Sequence, residues 1–174
     1  MADERIRLLN RSEKFEEALQ AAHGLVARFP ENPRAHFVLG GTFDFQDRET
    51  DDVPPHQRAW ELGLAGDDVP RFYVQYGSTL RNVGQFDEAV RVLREGSARY
   101  PENAATQAFL ALALFSVGRG AEALATAFAM VSQDGVNPDL HGYERAVREY
   151  VAALRLPGAA QEIPRTGHIP KSST

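Results

Sequence analysis

At residues 27–32 the chain reads ARFPEN, and at residues 98–103 it reads ARYPEN, with one aromatic residue exchanged for another. The residues that precede each copy also recur, because FEEA at residues 15–18 returns as FDEA at residues 86–89. A weaker third copy, GAEA, occupies residues 120–123. Self-similarity of this kind indicates an array of repeated structural units rather than one irregular core.

Each copy has the pattern of two amphipathic helices. Small residues occur where two helices must approach closely, larger apolar residues follow three or four positions away, and a proline or glycine ends the second helix. The composition, 43% hydrophobic and 25% charged, is that of a folded protein. The sequence therefore predicts an all-α fold without a sheet, with about nine helices packed as antiparallel pairs.

This pattern resembles the tetratricopeptide repeat family, in which a repeat of about 34 residues places small or apolar residues at fixed positions and a proline near its end. Residues 70–103 match it best, through Tyr73, Tyr76, Gly77, Leu80, Ala89, Leu93, Gly96 and Pro101. The resemblance implies a right-handed α-solenoid of about four helix-turn-helix units. As a whole the chain is similar to small bacterial proteins made almost entirely of such repeats.

Six segments follow from this interpretation. Four are repeat units, the fifth is a C-terminal capping helix, and the sixth is an extended tail rich in proline, glycine and small polar residues. The capping helix is expected because the last repeat of a solenoid otherwise exposes its core. The segments are expected at residues 1–32, 33–69, 70–103, 104–137, 138–156 and 157–174.

The second unit departs from the repeat pattern at residues 51–55, which read DDVPP. Val53 and Pro54 each precede a proline, which disfavours helical backbone angles. The second helix of this unit is therefore expected to begin late, with Pro55 as its first residue. The acidic segment before it lacks the glycine and closing glutamate of an EF-hand, so a solvated loop that caps a helix is expected there. Its acidic residues are Asp47, Glu49, Asp51 and Asp52.

Composition argues against several classes of function. The net charge of -5 does not favour a general nucleic-acid binder, and the lack of cysteine excludes disulfides and cysteine-ligated zinc. Residues 1–7 carry charge where a signal peptide would be apolar, and no run approaches the roughly 18 apolar residues of a membrane span. A cytoplasmic protein without a cofactor and without nucleic-acid or membrane partners is expected.

The sequence also lacks the usual arrangements of catalytic residues. Its five histidines are scattered, and no pair has the helical spacing of a metal site. No glycine-rich loop is followed by the lysine that a phosphate site needs. Ser78 lies on a predicted helix rather than on the strand-turn-helix elbow of a nucleophilic serine. The chain is therefore not expected to be an enzyme.

The resemblance implies that the first helix of each pair lines a concave groove. The inward-facing repeat positions assign the partner-binding groove to Arg7, Arg11, Arg34, Phe37, Phe45, Arg71, Val74, Ser78, Arg81, Asn82 and Phe115; Gly41 and Asp44 fall on further such positions. Arginine and aromatic residues are enriched in interface hot spots, and arginine binds a carboxylate through two hydrogen bonds. Alternatively, the arginines are solvated and the phenylalanines pack against an adjacent helix.

Two functions are consistent with these features. The first is a non-enzymatic module or scaffold that binds a protein or peptide in the groove, with an acidic ligand favoured by the arginines. A preformed groove loses little conformational entropy on binding. The alternative is a self-associating structural protein, a homodimer formed through the end of the solenoid or its convex face.

Overall fold

The computed structural model describes residues 2–131, together with residues 149, 151 and 152. Residues 2–131 form eight α-helices and contain no β-strand, which confirms the all-α prediction. The helices are α1 (Ala2–Arg11), α2 (Phe15–Arg28), α3 (Pro33–Asp44), α4 (Glu49–Glu61), α5 (Val69–Asn82), α6 (Phe86–Arg99), α7 (Ala104–Ser116) and α8 (Gly120–Val131). A short 3-10 helix, Gly66–Asp68, precedes α5.

Most of the predicted C-terminal part lies outside the described residues. This applies to the tail at residues 157–174 and to the capping helix at residues 138–156, of which only Glu149, Val151 and Ala152 are described, as helical. Among the described residues, no helix has both the length and the apolar character needed to cross a bilayer.

The helices form two layers. Each helix packs against the next one in the chain, and further contacts join α1 to α3, α3 to α5 and α5 to α7. The first helices of successive pairs therefore lie side by side. This arrangement confirms the predicted solenoid, and we call the outward surface of α1, α3, α5 and α7 the first-helix face.

The recurring Pro-Glu-Asn segment marks the start of a new helix pair. The side-chain oxygen of Asn32 accepts a hydrogen bond from the backbone N–H of Arg34 at 2.9 Å, and that of Asn103 accepts one from Thr106 at 3.1 Å. Asparagine is a favoured N-cap because its side chain satisfies a backbone donor that the first turn leaves free. The repeat in the sequence is thus a repeat of helix caps.

Two glycines allow α5 and α6 to approach each other closely. A Cβ atom on Gly77 of α5 would collide with the side chain of Leu93 on α6. The reverse holds for Gly96 of α6, where an added Cβ would lie 2.6 Å from the Cβ of Tyr73 on α5. Both neighbours are almost fully buried. Gly77, one of the small residues of the repeat pattern, is therefore a site of close packing between the two helices, as that pattern predicts.

The start of α4 differs from the prediction. The helix begins at Glu49 instead of Pro55, and Pro54 and Pro55 both lie inside it. Two prolines remove two backbone donors, but the carbonyl groups that lose them belong to Thr50 and Asp51, which are exposed and can bind water. Residues before proline disfavour helical backbone angles, and contacts with other parts of the fold overcome this local preference here.

Asp52 provides those contacts, so the expectation that it lies in a solvated loop is wrong. Its side chain is fully buried and accepts hydrogen bonds from Nδ1 of His56, one turn later in α4, and from the hydroxyl of Thr79 on α5. We call Asp52, His56 and Thr79 the α4–α5 junction.

Replacing Gly77 with leucine should destabilise the protein, because the new side chain would occupy the space of Leu93. Overpacking of this kind costs about 1–3 kcal/mol in the free energy of unfolding. The matched control is Gly24→Leu in α2, where an added Cβ meets no atom within 4 Å. Thermal unfolding followed by circular dichroism should show a lower midpoint for Gly77→Leu only, and equal midpoints would refute the α5–α6 packing.

Candidate functional site

The first-helix face contains a small cavity between α1, α3 and α5. Its volume is about 50 Å³, and it is lined by Ile6, Arg7, Asn10, Phe37, Val38, Gly41, Thr42, Arg71 and Gln75. Residues one helical turn apart share a side of a helix, so Phe37, Gly41 and Asp44 form one row on α3. Arg71, Gln75 and Ser78 form the neighbouring row on α5. Phe37 itself is buried, whereas the other five residues of the two rows are half-buried or exposed.

Arg34 does not contribute a free charge to this surface. Its Nε lies 2.7 Å from a carboxylate oxygen of Asp3 and 3.3 Å from one of Asp68. The guanidinium therefore links α3 to α1 and to the 3-10 helix. Arg7 makes a longer contact, 4.0 Å, with Glu4 of its own helix, and Arg11 is exposed at the end of α1.

Arg71 and Arg81 are different, because neither forms an ion pair with a carboxylate among the described residues. The Arg71 guanidinium lies over the ring of Phe37, 5.6 Å from its centre. Nε of Arg81 donates to the hydroxyl of Ser116 at 3.3 Å, and Nη1 donates to the side-chain oxygen of Asn82 at 3.0 Å. Both guanidiniums therefore contact neutral groups.

The predicted aromatic residues of the groove divide into two groups. Phe37 is only 3% exposed and belongs to the core, so its expected exposure is wrong and the alternative of packing between helices holds for it. Phe37 packs because α5 brings Phe72 to within 6.4 Å of it, ring centre to ring centre. Phe45 and Phe115 are 52% and 72% exposed.

The remaining predicted residues lie on α5 between and beside the two arginines. Val74 and Ser78 are half-buried, and the Ser78 hydroxyl donates to the backbone carbonyl of Gln75 at 2.9 Å. The side-chain amide of Asn82 donates to Glu49 at 3.4 Å. Ser78 and Asn82 thus place polar side chains near Arg81, whereas Val74 is apolar.

Sequence reasoning missed Gln75, whose amide joins α5 to α3. Its Nε2 donates to Oδ2 of Asp44 at 3.3 Å, while its Oε1 is buried without a hydrogen-bond partner among the described residues. Gln75 occupies no inward-facing repeat position that the family pattern predicts. Gln75 could have been found from the sequence, because it is a polar residue one helical turn after Arg71 and so lies on the same side of α5.

Asp44 is a carboxylate with an unfavourable environment. Burial raises its pKa above the usual value, and the negative charges of Asp52 and Glu49 raise it further. His56 and the hydrogen bond from Gln75 lower the pKa and offset part of this effect. No arginine or lysine among the described residues forms an ion pair with Asp44.

The family profile described as Tetratrico peptide repeat matches residues 33–154. The chain belongs to the tetratricopeptide repeat family. The match covers well over half of the sequence and begins at Pro33, where α3 starts. No curated protein matches the chain. Tetratricopeptide repeats generally mediate protein–protein interactions or scaffolding, and they are typically not enzymes.

The polar groups of this repeat array do not form a metal site in the part of the chain that the structure describes. No three histidine, aspartate or glutamate side chains there come within reach of one ion.

Asp44→Asn should stabilise the folded protein at about pH 7. The pKa of the Asp44 carboxyl is higher in the folded state than in the unfolded state. The folded protein therefore loses stability as the pH rises from the unfolded pKa through the folded pKa. Asparagine removes this cost and keeps an oxygen for Gln75. The gain should shrink towards about pH 3, where the Asp44 carboxyl is neutral in both states.

Urea unfolding at the two pH values measures this effect, with Asp67→Asn as the matched control because Asp67 is exposed. A stability gain for Asp44→Asn that was equal at both pH values would contradict the assigned role of burial.

Proposed function

We propose that the chain is a non-enzymatic interaction module that binds an extended peptide or protein segment in a groove formed by the first-helix face. Arg71 and Arg81 would bind carboxylates of that segment. The observation that supports this proposal is that both guanidiniums lack a carboxylate partner in the described residues, whereas Arg34 has two. The lack of cysteine fits a cytoplasmic location.

The positions of the two arginines favour binding. Arg71 is supported by the ring of Phe37, and Arg81 is held by its hydrogen bonds to Ser116 and Asn82. Side chains that are already ordered lose less entropy when a ligand binds. A guanidinium can also form two parallel hydrogen bonds with one carboxylate, which gives directional recognition.

The separation of Arg71 and Arg81 suggests the length of the ligand. The two residues are ten positions apart on α5, which corresponds to about 15 Å along the helix axis. An extended chain advances about 3.3 Å per residue, so a segment of four or five residues spans this distance. The exposed rings of Phe45 and Phe115 would provide apolar contacts beyond it.

The double change Arg71→Glu and Arg81→Glu should strongly weaken binding of acidic peptides and leave the fold intact. The probes are peptides selected from a random library on the wild-type protein, and we expect acidic residues to be enriched among them. Reversing both charges should weaken their affinity by more than about tenfold, because like charges then face each other. Raising the salt concentration should weaken wild-type binding in part.

The matched control changes Arg5 and Arg28 to glutamate. Both are exposed arginines without an ion pair among the described residues. Changing them to glutamate alters the net charge by the same amount as changing Arg71 and Arg81. Fluorescence anisotropy gives the affinities, and circular dichroism checks the helix content. Equal affinities for the two double variants would refute the basic groove.

Self-association remains the alternative function. Leu112 and Phe115 are 47% and 72% exposed on α7, which provides apolar surface for a second copy. Light scattering of the same samples over a concentration series separates the two functions. A dimer that forms without any selected peptide would favour the structural role.

A further inference from the structure

We propose that the cavity between α1, α3 and α5 binds a phosphoryl group of the ligand, held jointly by Arg7, Asn10 and Arg71. The anion at this end of the groove would be a phosphorylated serine or threonine of the bound segment, while Arg81 binds a carboxylate. This inference rests on the proposed function, because it names the chemical group that meets Arg71 and adds two residues of α1 to its site.

The cavity exists because α3 carries a glycine, Gly41, between the two neighbouring helices. α3 contacts both α1 and α5, so a side chain at this position would enter the space that the three helices enclose. Even a Cβ atom there would lie 3.4 Å from the Gln75 amide. The volume of about 50 Å³ exceeds the roughly 30 Å³ that a water molecule occupies in the liquid. The head group of a ligand side chain can therefore enter.

The two arginines that line this cavity lack a close counter-ion. Phe37 forms part of the lining, and the Arg71 guanidinium lies over its ring, 5.6 Å from the centre. Arg71 forms no ion pair with a carboxylate among the described residues. Arg7 reaches the same cavity from α1, and its contact with Glu4 is 4.0 Å long and exposed. Both guanidiniums can therefore turn to an anion that enters between them.

Carboxylates close in sequence to the lining residues are outside the cavity. None of the described residues that line it is an aspartate or a glutamate. Asp3 meets Arg34 at 2.7 Å, and Asp44 accepts a hydrogen bond from Gln75 at 3.3 Å. Each of these carboxylates thus has a donor of its own. The two arginines of the lining leave the cavity with a positive charge, which favours an anion with more than one negative charge.

Three side chains of the lining offer hydrogen-bond donors. Arg7 and Arg71 can only donate. Asn10 is 5% exposed, and its Oδ1 accepts a hydrogen bond from Gln46 at 3.1 Å, which leaves Nδ2 without a partner among the described residues. The acceptor atom of Gln75, Oε1, is buried and presents no surface to an entering group. This set of donors suits a group made of acceptor atoms.

A phosphoryl group matches this site better than a carboxylate does. It carries about -1.5 to -2 charges at pH 7 and three strong acceptor oxygens, whereas a carboxylate has one charge and two oxygens. Arginine binds phosphate through two parallel hydrogen bonds, so Arg7 and Arg71 can each hold a pair of oxygens. Nδ2 of Asn10 is a further donor. The charge of the cavity and its number of donors therefore both favour a phosphorylated side chain.

The probes are three peptides with the sequence Glu-Ala-Ala-Ala-X-Ala-Ala-Ala-Glu, in which X is serine, phosphoserine or glutamate. A glutamate on each side of X lets the peptide reach Arg81 in either chain direction, because four residues of extended chain span about 13 Å. Isothermal titration with the full chain should show about tenfold tighter binding of the phosphoserine peptide than of the glutamate peptide. The serine peptide should bind most weakly.

Arg7→Gln should remove most of the preference for phosphoserine over glutamate. The matched control is Arg5→Gln, because Arg5 is exposed on the same helix outside the lining and its loss changes the net charge equally. A preference that arose only from the overall charge would fall by the same amount in both variants. Asn10→Asp keeps the oxygen that accepts from Gln46 and adds a negative charge, so it should also remove the preference. Circular dichroism checks the helix content of each variant.

The outcomes separate this inference from the proposed function. If the wild type binds the phosphoserine and glutamate peptides equally, or if Arg7→Gln and Arg5→Gln affect the preference equally, the phosphoryl site is refuted. The arginine groove still stands in that case if Arg81→Glu weakens binding of both peptides. If Arg7→Gln alone removes the preference but Arg81→Glu weakens neither peptide, the phosphoryl site stands and the extended groove fails. If the wild type binds none of the three peptides, both fail.

Discussion

The buried carboxylate of Asp52 is the contact on which the middle of the fold depends. It accepts hydrogen bonds from His56 within α4 and from Thr79 on α5. A third helix meets the same site at Gly40 of α3, where a Cβ atom would collide with the His56 ring and lie 2.8 Å from Asp52. Three helices are therefore held at one polar site inside an apolar core.

A series of side-chain contacts joins the α4–α5 junction to the first-helix face. The His56 ring stacks on Tyr76 and meets the ring of Phe37 edge-on, with centres 5.5 Å apart in the second case. Phe37 in turn supports the Arg71 guanidinium. The contacts of Asp52 with His56, of His56 with Phe37 and of Phe37 with Arg71 thus form a continuous series from the core to the proposed groove.

The sequence predicts the features of this fold that depend on local interactions. Helix pairs follow from apolar spacing and from caps such as Asn32 and Asn103, whose hydrogen bonds involve residues two or three positions away. The close approach at Gly77 is likewise predicted by its place in the repeat. Each of these features is decided within one helix pair, and the family pattern describes one pair well.

Features that depend on distant partners were not predictable in the same way. Proline rules place the start of α4 too late because the burial of Asp52 depends on Thr79, 27 residues away. Arg34 and Arg71 occupy the same repeat position, yet only Arg34 meets carboxylates, which come from α1 and the 3-10 helix. The role of Gln75 likewise becomes visible only when α3 lies beside α5.

The most direct test of this account compares the free energies of unfolding of Asp52→Ala and Asp51→Ala by urea denaturation. The two aspartates are adjacent in α4, but Asp51 is exposed and Asp52 is fully buried. Removing Asp52 leaves His56 and Thr79 buried without their partner, so we expect a loss of about 3 kcal/mol. Asp51→Ala should lose less than about 1 kcal/mol. Equal losses would contradict the claim that the α4–α5 junction holds the three helices together.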